Sequence, residues 1–295
     1  MPSPHPRKQF AQHWLRSDVA LNKIIAAAEL SLTDKVLEIG PGTGILTRLL
    51  LPLSASVLAI EIDRDLCKKL VASFGKLDKF LLLQGDFLTL DLNNCLESFP
   101  QFQDPNKVVA NIPYNITGPI LEKLLGKISN PNPKPLDLIV LLVQKEVAER
   151  IAAKPGTKAF GALSVRVQYL AEAELVYHVP AKAFYPPPKV DSAVVRLRPR
   201  NFQPAADSPK QLENLVTAGF REKRKMLRNN LKSLVESDRF TEILTELDIN
   251  PQARAEQLSL AQWVALSNRI AAHRSESLTS DFCTDAIYRI STPDS

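Results

Sequence analysis

Residues 36–44 read Val36-Leu37-Glu38-Ile39-Gly40-Pro41-Gly42-Thr43-Gly44, and this stretch decides how the first 200 residues are to be understood. Its apolar-rich start is a strand-sized buried run, and the glycines behind it let the backbone turn tightly. A helical pattern opens at once, around residues 44–51. The same alternation continues outward. Runs at 57–60, 80–83, 108–110 and 138–143 suit buried strands, and amphipathic stretches around 64–75, 117–127 and 145–153 lie among them. An open parallel sheet with helices on both faces has this rhythm. Residues 173–179 and 192–197 read as two further strands, joined through Tyr185-Pro186-Pro187-Pro188, that would add an antiparallel edge. Residues 198–208 have linker composition, and 209–273 carry helical periodicity only, with a turn at Asp248-Ile249-Asn250-Pro251. The expected organisation is an α/β domain over 1–200, a small all-α domain over 201–274 and a flexible tail over 275–295.

Composition narrows the class. Of 295 residues, 45% are apolar and 23% charged, the balance of a soluble globular protein. The longest apolar run, 138–143, falls well short of the roughly 20 residues a membrane helix needs. The N-terminus has no apolar stretch of the secretory kind, so no membrane role and a cytoplasmic address are expected. Cys67, Cys95 and Cys283 form no CxxC pair, which suggests neither a disulfide framework nor a metal site. The net charge is +5, and residues 220–232 alone hold six Lys/Arg against one Glu. The rest of the chain is therefore neutral, and a focused patch on a neutral body fits a polyanionic partner.

The glycine loop has the spacing GxGxG. Ile45 and Leu46 stand where a dinucleotide fingerprint would want its third glycine, so the loop is read as lacking that fingerprint's close helix packing and pyrophosphate cradle. It also lacks the GK[ST] of a P-loop. A nucleoside ligand without phosphates, such as S-adenosyl-L-methionine, fits better. Glu61 ends the second strand, about 20 residues on, where a carboxylate accepts from ribose hydroxyls. Asp86, after the third strand, is suited to accept from an adenine amino group. Three such features at successive strand ends favour one cofactor site over three unrelated turns.

After the fourth strand comes Asn111-Ile112-Pro113-Tyr114. The N6 nitrogen of adenine is a poor nucleophile, because its lone pair is delocalised into the ring. The Asn111 amide oxygen and a main-chain carbonyl near Ile112 would hold both N6 hydrogens and turn the lone pair toward a methyl donor. Pro113 stiffens the turn, and Tyr114 offers a flat surface for an extruded base. No strong base is needed, so positioning and a dry site supply the rate.

Together these motifs resemble the KsgA-type ribosomal RNA adenine dimethyltransferases. Residues 7–15 (RKQFAQHWL) are similar to that family's N-terminal motif, and 184–192 (FYPPPKVDS) to its late Phe-x-Pro-x-Pro-x-Val-x-Ser motif. Residues 220–231 (FREKRKMLRNNL) are similar to its basic helical signature, and the likeness spans roughly 7–273. The resemblance implies a Rossmann-like class I methyltransferase sheet with a small all-α C-terminal domain that docks on the ribosome. It implies N6,N6-dimethylation of two adjacent adenosines in the 3′-terminal hairpin of small-subunit rRNA, within a small ribosomal subunit precursor; a monomer is expected, since no feature of the sequence argues against one. His13, Leu15, Gly40, Glu61, Asp86 and Asn111 would then contact the cofactor. Asn111 and Tyr114 would hold the target base, and Phe184 would stack on its other face. Arg221, Lys223, Arg224, Lys225 and Arg228 would contact RNA phosphates, giving affinity without sequence choice. The match departs at His13, where the family more usually has Asn; a neutral imidazole still offers one hydrogen bond.

Three other readings compete. A resistance methylase of the Erm type modifies large-subunit rRNA, and the 220–231 signature disfavours it. A non-catalytic relative of the fold would not need an intact Asn111–Tyr114 motif. A DNA adenine methylase would need a groove-reading module, and none is visible.

Overall fold

The computed structural model describes residues 12–273, so positions 7–11 of the N-terminal motif, Cys283 and the tail at 275–295 lie outside it. Seven strands form its main sheet: β1 (Lys35–Ile39), β2 (Ser56–Glu61), β3 (Phe80–Gln84), β4 (Lys107–Asn111), β5 (Leu138–Gln144), β6 (Ala171–Val179) and β7 (Ser192–Pro199). Across the sheet they run β3-β2-β1-β4-β5-β7-β6. The first five are mutually parallel. Four of them are almost wholly buried, which is why they are such plain apolar runs in the sequence. The chain starts at β1, winds out to β3, then crosses back to β4 on the other side of β1. That reversal opens a crevice at the carboxyl ends of β1 and β4, where open α/β sheets place their ligands.

The two late strands do pair antiparallel, with a twist in their order. β7 slots between β5 and β6 and pairs with both, so the earlier strand β6 is left at the edge. Burial explains the arrangement. Ala193, Val194, Val195 and Leu197 of β7 are all 0% exposed and need neighbours on both sides. β6 presents exposed Glu172, Glu174 and His178, which suit an edge.

The helices that flank the sheet near its ligand edge include α1 (Asp18–Ala28), α2 (Ile45–Leu50), α3 (Arg64–Phe74), α4 (Thr117–Leu125) and α5 (Lys145–Ile151). Of these, α1 is not among the amphipathic stretches that the sequence makes plain. Its signals are local: Ser17 accepts from the Ala20 N–H at 3.3 Å as an N-cap, and Asp18 lies in the first turn. Leu21, Ile24 and Ala28 bury its inner face.

Residues 128–130, 154–166 and 202–273 form a second compact unit. It contains α6 (Pro209–Gly219), α7 (Leu227–Leu231), α8 (Ser237–Glu246) and a last helix over 260–273. Ser208 caps α6 by accepting from the Gln211 N–H, with Pro209 at the first helical position. Leu212, Leu215, Phe240, Leu244 and Trp263 make the core, and the Trp263 ring stacks on Phe220 at 5.4 Å.

Candidate active site

The glycine loop links β1 to α2. Gly42 has φ +59 and donates its N–H to Glu61 Oε2 at 3.0 Å, tying the loop to the end of β2. Gly44 has φ +79 and caps α2; a Cβ there would lie 2.6 Å from the Phe74 ring and 3.0 Å from Leu70. The reading of a loop without close helix packing is therefore corrected. The close approach exists, made by Gly44 against α3 rather than by a glycine one or two positions later.

Glu61 is 5% exposed, and both its oxygens are engaged: Oε2 by Gly42 N–H, Oε1 by Asp63 N–H at 2.9 Å. Burial pushes its carboxyl above the usual range, against those two hydrogen bonds. Asp63 in turn caps α3 and accepts from the Gln12 amide at 3.1 Å, which pins the N-terminal segment over the strand ends. Asp86 uses Oδ1 to accept from Leu88 N–H at 2.9 Å, the turn-forming role that its residue type favours, and leaves Oδ2 for the crevice. Lys123 of α4 holds the same loop from behind by donating to the carbonyls of Phe87, Leu88 and Leu90.

Glu38 carries no signal of its own in the sequence, although it sits in the deciding stretch. It is 1% exposed in β1, and Thr47 of α2 donates its hydroxyl to Glu38 Oε2 at 2.6 Å. Burial pushes this carboxyl up to about 8, opposed by the Thr47 hydrogen bond and helped by the charge of Glu61. An acidic residue beside a glycine loop is visible in the sequence. Its depth is not.

Asn111 ends β4 and donates from Nδ2 to the main-chain carbonyl of His13 at 3.4 Å, which leaves its Oδ1 as a free acceptor. His13 Nδ1–H donates to the carbonyl of Pro186 at 2.7 Å, and its ring stacks nearly parallel to Tyr114, centroids 6.1 Å apart. The Tyr114 hydroxyl and Ser192 Oγ of β7 share a 2.5 Å hydrogen bond, and burial pushes the phenol pKa up. These groups surround a cleft of about 380 Å³. Gly40, Glu61 and Asp86 line it from the strand ends, His13 and Leu15 from the N-terminal segment, Asn111 and Tyr114 from the β4 end. Among the described residues no lysine or arginine lines it, and Glu38 adds a third acidic side chain, largely protonated at neutral pH.

Phe184 is placed elsewhere. Trp14–Leu15 pairs antiparallel with Phe184–Tyr185 in a two-stranded ribbon, Trp14 opposite Tyr185 and Leu15 opposite Phe184. Phe184 is 4% exposed, packs with Leu15 in the apolar core, and is not part of the cleft lining.

In the second unit, Arg221, Lys223, Arg224 and Lys225 are all exposed, and Arg228 is half-buried. The expected basic helix is corrected here: α6 ends at Gly219, α7 begins at Leu227, and the basic run forms the turn between them. Five consecutive charged residues, 221–225, offer a helix no apolar face to bury, and four of them repel one another. The turn is held by Asn230, whose amide donates to the carbonyls of Gly219 at 2.6 Å and Glu222 at 3.1 Å.

The family model for ribosomal RNA adenine dimethylase matches residues 5–272. The chain belongs to that family. Among its relatives, ribosomal RNA small subunit methyltransferase A of Trichormus variabilis is 68% identical over 263 residues, covering 89% of this chain and 97% of the relative. The enzyme of the same name from Synechocystis is 54% identical over 271 residues, covering 89% and 95%. Among solved structures, a dimethyladenosine transferase from Plasmodium falciparum superposes with a TM-score of 0.70 at 29% identity, covering 86% of this chain and 96% of that one. The 23S rRNA methyltransferase ErmE gives the same TM-score at 28% identity, covering 88% and 99%. Shape therefore does not separate these two solved structures, whereas sequence identity is 54–68% to the two enzymes named for the small subunit and 28% to the 23S rRNA methyltransferase.

Proposed function

We propose that this chain dimethylates the N6 amino groups of two adjacent adenosines in the 3′-terminal hairpin of small-subunit rRNA, using S-adenosyl-L-methionine and acting on a small-subunit precursor. One observation carries the cofactor reading: among the described residues, three acidic side chains, with Glu38 held largely protonated by its burial, and no Lys or Arg line the cleft. Such a wall disfavours the phosphates of a dinucleotide and suits a cationic nucleoside. Its volume of about 380 Å³ is in the range of small-ligand sites. Glu61 keeps a second lone pair on each oxygen for ribose hydroxyls, and Asp86 keeps Oδ2 for the adenine amino group.

When bound, S-adenosyl-L-methionine supplies a sulfonium methyl group. Asn111 does the positioning. With Nδ2 committed to the His13 carbonyl, its Oδ1 accepts one N6 hydrogen and the Ile112 main-chain carbonyl accepts the other. Held so, N6 would present its lone pair to the methyl group that the cofactor supplies and would release its proton to water; a singly methylated N6 would keep one hydrogen for Asn111 Oδ1. Tyr114, fixed by Ser192 and His13, supplies the stacking wall. Phe184, buried beneath the ribbon, would have to turn outward to form the opposite wall.

Methyl transfer from labelled cofactor to small and large subunits lacking adenine dimethylation, followed by mass mapping, tests this reading. Dimethyladenosine in the small-subunit hairpin supports it; label in the large subunit assigns the chain to the resistance methylases instead. Glu61→Ala is expected to raise the cofactor dissociation constant roughly 10- to 100-fold, the cost of hydrogen bonds to a charged group. Calorimetry reads it directly, and an unchanged constant removes Glu61 from the site. The basic turn is assigned to phosphates. Neutralising Arg221, Lys223, Arg224 and Lys225 together is expected to flatten the salt dependence of RNA binding by roughly 0.7 to 0.9 in log–log slope for each phosphate no longer neutralised. An unaltered slope places the turn off the RNA.

A further inference from the structure

A second aromatic, outside the cleft and unused by the chemistry above, sits on the ribbon that forms part of its rim. The strand pairing sets Tyr185 directly opposite Trp14, so the two side chains share one face of the ribbon. Trp14 on that face lines the cleft, and a Cβ on Gly42 of the cofactor loop would touch its ring at 3.6 Å. Arg16, two residues after Trp14, returns to the same face, and its guanidinium lies 4.1 Å above the Tyr185 ring centroid. Arg16 N–H donates to the Ala183 carbonyl at 2.8 Å, which fixes the backbone beneath the stack.

Both side chains are exposed, Tyr185 to 44%. Among the described residues no ion pair involving Arg16 is formed, in contrast to Arg196 and Arg198, which are held by Glu29 and Glu174. A tyrosine capped by a guanidinium rather than a carboxylate presents a flat, cationic π surface. Such surfaces stack unpaired bases of RNA, whose phosphates also favour the positive charge.

We infer that Arg16 and Tyr185 form a stacking platform for the unpaired nucleotide next to the target adenosine, held at the cleft rim while its neighbour is methylated. The inference rests on the RNA-methylating function proposed above. Phe184, one residue earlier, faces the core by the alternation of the strand, so the exposed aromatic of this pair is Tyr185. The platform is sequence-tolerant, because every base has a π face.

The test uses the full chain and an RNA hairpin carrying 2-aminopurine beside the target adenosine. Tyr185→Ala and Arg16→Ala are each expected to weaken hairpin binding roughly 5- to 100-fold, the range for loss of one base–aromatic stack, and to relieve 2-aminopurine quenching. Tyr185→Phe is expected to bind and quench as the wild type does, since it keeps the ring. Cofactor affinity, read by calorimetry, is expected to stay constant in all three variants. Wild-type binding and quenching in Tyr185→Ala overturn the platform, and so does a matching loss of cofactor affinity, which would assign Tyr185 to the fold of the cleft. Methyl transfer by the wild type in the same series separates the two levels. Transfer by the wild type with no effect of Tyr185→Ala overturns the platform alone; no transfer by the wild type overturns the function and the platform with it.

Discussion

Asn111→Ala is expected to slow methyl transfer on the order of 10³-fold, the scale set by deleting one preorganised hydrogen-bonding group at a reacting centre. The loss should fall on the transfer step. RNA affinity comes from phosphate contacts and stacking, neither of which involves Asn111. The size of the effect follows from the double engagement of the amide. Its Nδ2 donates to the His13 carbonyl at 3.4 Å, which leaves Oδ1 as the acceptor for the N6 hydrogen in the proposed reaction. Alanine removes the acceptor and also unties the N-terminal segment from the end of β4. Single-turnover transfer under saturating cofactor and RNA measures the chemistry without binding. A variant that methylates near the wild-type rate would show that N6 is oriented by something else.

The second large effect concerns stability. Glu38 is 1% exposed, and its carboxyl is pushed from 4.5 up to about 8 by burial in the company of Glu61. A carboxyl whose folded pKa lies above its unfolded one favours the folded state while protonated. That contribution is complete below about pH 4.5 and is lost as pH rises through about 8. Glu38→Gln keeps the shape and an oxygen to accept from Thr47, but cannot ionise. Without cofactor, the two proteins should have similar urea midpoints at about pH 4. By about pH 9 the glutamine variant should be the more stable, by on the order of a few kcal/mol. All other titrating groups are common to both, so the difference isolates Glu38. Parallel stability profiles would mean that the carboxyl ionises at no cost in the folded state.

Much of this molecule is legible in its sequence because its strands are buried on both faces. β2, β4 and β5 appear as apolar runs and β1 as one interrupted by Glu38, and the glycine loop, Glu61 and Asn111 follow at their ends, with Asp86 after β3, where open sheets bind ligands. The hidden parts depend on distant partners. The insertion of β7 between β5 and β6 is a matter of which strand needs two neighbours, and residues 173–179 and 192–197 do not announce that separately. Alternation says that Phe184 and Tyr185 face opposite ways, but only the pairing with Trp14 and Leu15 decides which of them goes inward. The basic run reads as a helix because of its flanks, Leu212–Val216 and Leu227–Leu231. The charges between them have no face to bury, so the chain turns there. Glu38 looks like an ordinary acid at a strand end until Thr47 and the sheet close over it.

The hydrogen bond between Tyr114 and Ser192 joins residues 78 positions apart. It makes the site a late product of synthesis. When the β4 loop leaves the ribosome, its stacking tyrosine still lacks an anchor, and β5 lacks the neighbour that will cover its side. Both arrive only with β7, which must enter between two strands already made. A nascent chain or a truncated fragment ending before residue 192 therefore carries the complete glycine loop and the Asn111 motif, when it reaches past residue 114, yet has no finished wall against which to stack a base. For an enzyme proposed to act on ribosome assembly, competence is withheld until most of its own translation is done.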